Sequence, residues 1–161
     1  MLVSLCAALA VSPVPQDTHP FSVHDMLAMD RIADARLSPD GKRVTFTVSS
    51  TDLAGNRRRT DVWIADVDGG NPRALTTHPA ADFNARWMPD GKSIVFLSTR
   101  GGGAQVWQLA LSGGEAQQLS KFPLDVGNLD VFPGGERLLL SFDVWPTAKS
   151  LAESAEKDAA E

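Results

Sequence analysis

The chain has few of the side chains that form covalent or metal cross-links. Its 161 residues include one cysteine, Cys6, no tyrosine and only three histidines. A single cysteine excludes an intramolecular disulfide and a zinc site built from cysteines. His24 and His78 are far apart in the sequence and are interpreted as structural or surface residues. We therefore expect neither a bound metal nor a cofactor.

Positive charge is also scarce, with 15 Lys and Arg against 20 Asp and Glu and a net charge of −5. A protein that coats nucleic acid carries a basic surface, so no nucleic-acid partner is expected. The basic run Arg57-Arg58-Arg59 is predicted to lie in a loop between strands. It is interpreted as a solvated triplet, with contact to a neighbouring domain or an acidic substrate as the alternative.

Long apolar runs are absent as well, and none approaches the ~18 residues of a membrane-spanning helix. The stretch from Leu2 to Val11 is almost entirely apolar and is followed by Pro13 and Pro15. It resembles the apolar region of a secretory signal, with Ala8-Leu9-Ala10 as a cleavage site, although no Lys or Arg precedes it. We predict a signal peptide over residues 1–16 and a periplasmic or secreted location. A buried strand or helix is the alternative.

The sequence does contain internal repetition. Residues 35–46, Ala-Arg-Leu-Ser-Pro-Asp-Gly-Lys-Arg-Val-Thr-Phe, return at 85–96 as Ala-Arg-Trp-Met-Pro-Asp-Gly-Lys-Ser-Ile-Val-Phe, and more weakly at 129–138. A second motif, Asp-Val-Trp-Ile at 61–64, is echoed by Gln-Val-Trp-Gln at 105–108, and a Gly-Gly pair follows each copy. Repetition at a fixed period of this length is the signature of a repeat architecture.

The chemistry of each repeat predicts short strands joined by tight turns. In Pro-Asp-Gly, proline sets the φ angle of the corner and glycine accepts the positive φ that closes a hairpin. The alternation of Val44, Phe46 and Val48 with threonines predicts a half-buried strand. Residues 94–97 are apolar at every position, which predicts a strand covered on both faces. Four strands per repeat of this length make a propeller blade.

We therefore predict an all-β fold, an incomplete β-propeller of about two and a half four-stranded blades. A short helix over 20–33 leads it, capped by Ser22 and tethered by Leu27 and Ile32. The partial propeller covers 34–146, with blades at 34–77, 83–120 and 127–146. A polar tail, helical or disordered, covers 147–161.

A stack of blades that does not close leaves apolar flanks, from which we expect self-association. The residues expected on such flanks are Val44, Phe46, Ile94, Phe96 and Leu139.

Two further groups of residues have competing interpretations. Trp63, Trp87 and Trp107 occupy apolar positions of the repeats, so they are predicted to pack between blades rather than to stack on a ligand. Asp66 and Asp68 precede a Gly-Gly pair and resemble part of a calcium loop. The bidentate glutamate that such a loop needs is missing, which favours a hairpin turn.

The stretch from Pro20 to Phe46, with Asp-Val-Trp-Ile-Ala-Asp-Val-Asp-Gly-Gly at 61–70, resembles the N-terminal part of a prolyl oligopeptidase family serine peptidase. The likeness is to the bacterial dipeptidyl aminopeptidase and acylaminoacyl-peptidase-like branch, and it covers about residues 20–146. The Ser-Pro-Asp-Gly signature also occurs in the periplasmic propeller protein of the Tol system. The peptidase resemblance implies a propeller followed by an α/β-hydrolase domain with a Ser, Asp, His triad.

These 161 residues contain no Gly-x-Ser-x-Gly nucleophile elbow. They also lack the glutamate pair with which some family members bind a substrate's amino terminus. No catalytic or substrate-binding residue is therefore assigned. The resemblance implies a propeller that gates the access of peptides to a hydrolase domain outside these residues. The alternative is a stand-alone periplasmic interaction module of the Tol type with no catalytic role.

Overall fold

The structure is a computed structural model that describes residues 19–160, so the predicted signal peptide lies outside the described residues. Helix α1 (Val23–Ala28) begins after Ser22, which forms the expected capping box with Asp25. The helix is shorter than the predicted 20–33. Strand β1 begins at Arg31, because residues 31–33 pair with the next strand instead of continuing the helix. Ile32 therefore lies on β1, exposed, and does not tether the helix.

Each of the first two repeats forms a four-stranded antiparallel sheet in sequence order, as predicted. The first blade contains β1 (Arg31–Leu37), β2 (Arg43–Asp52), β3 (Arg57–Asp66) and β4 (Arg73–Ala74). The second contains β5 (Asp82–Trp87), β6 (Ser93–Ser98), β7 (Gln105–Ala110) and β8 (Gln117–Gln118).

The third repeat supplies only the hairpin β9 (Asn128–Val131) and β10 (Leu138–Ser141), followed by helix α2 (Leu151–Asp158). The tail that was predicted to be helical or disordered therefore contains a helix. Ser150 caps it, and the buried Ser154 accepts the backbone N–H of Trp145 through its Oγ at 2.8 Å. The indole N–H of Trp145 reaches Asp158 of the same helix at 2.5 Å. These bonds attach α2 to the chain that leaves β10.

The three Pro-Asp-Gly or Pro-Gly-Gly turns have one geometry. The N–H of Gly41 donates to the Ser38 carbonyl at 2.9 Å, and that of Gly135 donates to the Phe132 carbonyl at 2.8 Å. Both glycines have positive φ, +71° and +74°. The weak third copy of the sequence repeat is therefore a true structural copy, since a residue with a Cβ rarely adopts this φ.

The apolar core lies between the blades. Ile94 and Phe96 are 0% exposed and pack against Val62 and Ile64 of the first blade. On the other face of β6, Val95 and Leu97 pack against the third blade. The prediction that this strand is covered on both sides is confirmed. The prediction that Ile94 and Phe96 lie on an open flank is wrong, because the second blade has a neighbour on each side.

The first blade buries the face of β2 that the sequence pattern did not favour. Thr45 and Thr47 are buried, because they pair with Ile64 and Val62 on the face that contacts the second blade. Val44, Phe46 and Val48 lie on the opposite face and are only half-buried. The alternation of apolar and polar residues correctly predicted the strand, whereas the neighbouring blade determined which of its two faces is buried.

The tryptophans divide between these faces. Trp87 and Trp107 pack between the first two blades, as predicted. Trp63 pairs with Phe46, so it lies on the open face of the first blade. Among the described residues no second sheet covers Trp63, so its packing between blades stays a prediction.

The run Arg57-Arg58-Arg59 is the start of β3 and not a loop. It pairs with the end of β2, and a tight turn through Asn56 (φ +46°) joins the two strands. The Arg57 Nε lies 3.0 Å from the Asp52 Oδ2. Opposite charges across the ribbon allow the strands to extend beyond the length that the apolar pattern predicted.

Candidate functional site

The first strands of the three blades lie side by side. β1 contacts β5, and β5 contacts β9, whereas β4 and β8 pair with the third strands of their own sheets. The sheets therefore converge at their first strands. In a propeller such strands surround the central channel, so side chains of β1, β5 and β9 define the candidate site.

β1 and β5 contain a β-bulge at the same position of the repeat. Two residues of each strand oppose one residue of its partner, and Asp34 and Asn84 adopt positive φ of 49° and 55° there. A bulge bends the strand and redirects the side chains beside it. Arg86, which follows the bulge in β5, reaches Asp34 of β1 and Asp130 of β9, whereas Arg36, which follows the bulge in β1, contacts Asp34 of its own strand.

Arg86 connects all three blades. Its Nη1 lies 2.8 Å from the Asp34 Oδ2 of the first blade, and its Nε lies 2.7 Å from the Asp130 Oδ1 of the third. The Arg36 Nη2 lies 3.0 Å from the other oxygen of Asp34, Oδ1. Beside them, the side chain of Asn84 donates to that of Asn128. This network crosses both blade interfaces at their inner ends.

A cleft of about 520 Å³ opens beside this network, between the first and second blades. Its polar lining combines carboxylate, amide, hydroxyl and guanidinium groups, and the Asn84 Oδ1 is buried there without a hydrogen-bond partner. Groups of these kinds bind the main chain and the polar side chains of peptides. The lining residues that carry polar side chains are Asp34, Thr47, Ser49, Arg58, Thr60, Asn84, Arg86 and Asn128.

A second charged cluster has a structural role at the start of the second blade. Asp82 is fully buried and accepts from the Arg100 Nη2 at 2.6 Å. The Arg100 guanidinium lies over the Trp107 ring, 4.9 Å from its centroid, and also bonds Ser98. Burial raises the pKa of the nearby Asp61, and the charge of Asp82 adds to the increase.

The other residues that the sequence singled out have local roles. The carboxylates of Asp66 and Asp68 accept N–H groups of Asn71 and Gly70 at 2.7 and 2.9 Å, in the predicted hairpin turn. His78 accepts the N–H of Ala80 at 3.1 Å. In residues 19–160 no serine hydroxyl is hydrogen-bonded to a histidine, and no three His, Cys, Asp or Glu side chains are grouped to hold a metal.

The network around Arg86 was not predicted from the sequence, although the repeat contained a signal for it. Arg36, Arg86 and Asp130 occupy the same position of successive repeats, at intervals of 50 and 44 residues. The opposite charges of Arg86 in the second repeat and Asp130 in the third predict an ion pair between these two blades. The bulges that bring these side chains together have no comparable signal in the sequence.

The comparison with known families agrees with this architecture. The family described as "TolB beta propeller domain" matches residues 29–141, most of the chain. The chain belongs to this family. The TolB-type propeller is similar to dipeptidyl-peptidase 5 of Porphyromonas endodontalis, 29% identical over 119 residues, which are 74% of this chain and 17% of that protein. It is also similar to the Tol-Pal system protein TolB of Bordetella pertussis, 43% identical over 56 residues, 34% of this chain and 13% of that protein.

A solved structure with the same fold is the acylaminoacyl peptidase of Pyrococcus horikoshii. It has a TM-score of 0.58 and 20% identity, with 71% of this chain and 18% of that chain covered. The TolB-type propeller thus spans less than a fifth of the curated relatives it matches. Within the described part of the chain, no helix is both long and apolar enough to cross a membrane.

Proposed function

We propose that this TolB-type propeller is the propeller portion of an exported serine peptidase of the prolyl oligopeptidase type. In this role it gates the access of peptides to an α/β-hydrolase domain that lies outside these 161 residues. The observation that carries the proposal is the length of the similarity to dipeptidyl-peptidase 5. That similarity extends over 119 residues, whereas the similarity to TolB extends over 56.

The inner ends of the blades support a gate that works by exclusion. Arg86 bonds both neighbouring blades, which restrains the spacing of the first strands. A channel of restrained width admits short or unfolded peptides and excludes folded proteins. The polar cleft beside Asn84 and Asn128 offers hydrogen-bonding groups to a peptide that passes. Selection then depends on size more than on one side chain.

The proposed location is the periplasm or the exterior. The apolar run from Leu2 to Val11 supports it, since such a run directs export and is then removed. Removal of residues 1–16 would also remove Cys6, the one cysteine of these 161 residues, which fits an oxidising compartment.

A second candidate function is an interaction module without catalysis. The 43% identity to TolB over 56 residues favours it, because this identity is higher than that to the peptidase. In this alternative the blade surfaces bind another protein, and no hydrolase domain takes part.

Capture of the native protein distinguishes the two functions. Antibodies raised against residues 19–160 are used to isolate the protein from its source cells, and a fluorophosphonate probe then labels active serine hydrolases. The peptidase function predicts a labelled polypeptide that hydrolyses dipeptidyl chromogenic substrates, whereas the 161-residue chain alone does not. A captured protein that is neither labelled nor active would contradict the peptidase function and favour the interaction module.

A variant of the labelled protein then tests the gate. Asn128→Trp places a large ring on β9 beside the cleft and is expected to slow hydrolysis of long peptides more than that of dipeptidyl substrates. Gln117→Trp, on the exposed outer strand β8, is the matched control and should alter neither rate. Equal loss for both substrate lengths in Asn128→Trp would contradict selection by size.

A further inference from the structure

The hairpin between β2 and β3 is longer than its counterpart in the second blade. The interval between equivalent residues is 50 at Phe46 and Phe96. It is 44 at Trp63 and Trp107, so the first repeat has six extra residues between these positions. Strands β2 and β3 have ten residues each, whereas β6 and β7 have six. Insertions into single repeats often lie on the binding face, which makes residues 49–60, here called the first-blade hairpin, a candidate for recognition.

The three arginines of the first-blade hairpin point to different sides, because successive side chains of a strand alternate between its faces. Arg57 and Arg59 lie on one face, where their Nε atoms pair with Asp52 and Asp61 at 3.0 Å each. Arg58 lies on the opposite face. In the described part of the chain it forms no ion pair with a carboxylate, unlike its two neighbours. The hairpin therefore holds one arginine whose charge is not taken up by its own strands.

Arg58 belongs to the wall of the cleft between the first two blades. The pairing of β2 with β3 puts it on the same face as Ser49 and Thr60, and all three line the cleft of about 520 Å³. This is the face that packs on the second blade through Val62. Because the first-blade hairpin extends beyond the shorter strands of the second blade, Arg58 is exposed there. Its guanidinium is therefore accessible to a ligand in the cleft.

The chemistry around Arg58 fits an acidic group. The other charged residues that line the cleft are Asp34 and Arg86, which pair with each other at 2.8 Å. The Ser49 and Thr60 hydroxyl oxygens lie 3.2 Å apart, so one donates to the other. The accepting hydroxyl keeps its own hydrogen for a further acceptor. A guanidinium and a hydroxyl donor in one wall suit a carboxylate, which accepts from both.

We propose that Arg58 is a specificity-determining residue that binds a carboxylate of the peptides that enter this cleft. The planar guanidinium donates two parallel N–H bonds to such a group, and the free hydroxyl hydrogen of the Ser49 and Thr60 pair is a third donor. The carboxylate belongs to the C-terminus of the peptide or to an acidic side chain. Size still decides which peptides enter, and this bond favours the acidic ones among them. The inference rests on the proposed function, since it takes peptides as the ligands.

Fluorescence anisotropy of labelled peptides tests this role without requiring turnover. The polypeptide that contains this propeller is produced as wild type and as variants, and any reactive serine is blocked with a fluorophosphonate. Three peptides of one length carry the same neutral fluorophore. The reference is a neutral peptide amide that contains glutamine. The second has a free C-terminal carboxylate, and the third has glutamate in place of the glutamine, so the two sources of a carboxylate are measured separately.

We expect the wild type to bind at least one acidic peptide about 10-fold more tightly than the neutral reference. Arg58→Gln should abolish this preference, whereas Arg58→Lys should keep part of it, because lysine retains the charge without the planar fork. Arg57→Gln is the matched control, since it removes the same charge one residue away on the opposite face, and it should keep the full preference. Equal melting temperatures of wild type and Arg58→Gln show that the fold is unchanged.

A wild type that binds the three peptides equally would overturn the proposal. A preference that survives in Arg58→Gln would overturn it too, and so would equal losses in Arg58→Gln and Arg57→Gln, which would indicate an effect of net charge alone. Failure of the proposed peptidase function gives a different result. The captured protein would then lack the hydrolase label, while anisotropy would still measure the peptide preference and decide the role of Arg58.

Discussion

The guanidinium of Arg86 on β5 lies 2.8 Å from the carboxylate of Asp34, a residue of the preceding blade that is 52 positions earlier in the sequence. The Arg86 side chain is nearly buried, so its charge depends on this partner and on Asp130. A buried charge that loses its partner destabilises a fold far more than an exposed one does. The contacts of Arg86 therefore bear on the stability of both blade interfaces.

Substitution of Arg86 by methionine should lower the free energy of unfolding by about 2 kcal/mol, because the charge-assisted bonds to Asp34 and Asp130 are lost while both carboxylates keep contact with solvent. Urea titration followed by tryptophan fluorescence measures the change. The control is Arg57→Met, whose ion pair with Asp52 is exposed, and it should cost about 0.5 kcal/mol or less. Equal losses in the two variants would contradict a structural role for the network.

Gly135→Ala should destabilise the chain more than Gly41→Ala. Both glycines have positive φ, which costs a residue with a Cβ about 1–2 kcal/mol. A Cβ at Gly135 would also lie 3.0 Å from the Pro89 Cδ of the second blade, whereas a Cβ at Gly41 meets nothing within 4 Å. Gly134→Ala is the control, because a Cβ there meets no atom within 4 Å and the residue does not have positive φ. The melting temperatures of the three variants measure the order of destabilisation.

The raised pKa of Asp61 predicts how Asp61→Asn depends on pH. Burial raises this pKa and Asp82 adds to it, while Arg59 and Arg100 oppose the increase. A carboxyl group with a higher pKa in the folded state binds its proton more tightly there. The contribution of Asp61 to the free energy of unfolding of the wild type therefore decreases as the pH rises through its raised pKa, and it increases again as the pH falls.

Asp61→Asn should accordingly stabilise the chain relative to wild type at about pH 7, and this advantage should shrink towards about pH 4. Asp40→Asn is the control, and its effect on the free energy of unfolding should have the opposite sign. Hydrogen bonds from Ser38 and Lys42 lower the pKa of Asp40, so its ionised form stabilises the fold. Asp40→Asn should destabilise the chain near neutral pH. Urea titrations at several pH values measure both, and an Asp61→Asn advantage that grows on acidification would contradict the assignment.

The pair Asp82 and Arg100 should show coupling in a double-mutant cycle. Asp82→Asn leaves the guanidinium without its buried carboxylate and should cost about 3 kcal/mol. Once Arg100→Met has removed that charge, the same change should cost less, with a coupling energy of about 1–3 kcal/mol. Additive effects in urea titrations would show that the bond of 2.6 Å carries no net stability.

The sequence was sufficient to predict most of the strands and their grouping into sheets. Pro-Asp-Gly turns and alternating strands are local features, and the turn at Gly41 and the strand that contains Phe46 form as their own residues dictate. The helix that was predicted to run to residue 33 failed for a non-local reason. Residues 31–33 gain strand pairing with β2, which a reading of helix propensity alone does not include.

The sequence by itself thus determined a β-propeller fold, the repeats within residues 19–160 and their turns, because repetition and turn chemistry act over a few residues. Only the tertiary structure decided which face of β2 is buried. The second blade packs on the face that contains Thr47, whereas the strand's own sequence favours burial of the face that contains Phe46. The tertiary structure also decided that Arg86 meets Asp34. That contact depends on a bulge in each of two strands and on the distance between blades, and these are properties of packing that no short segment encodes.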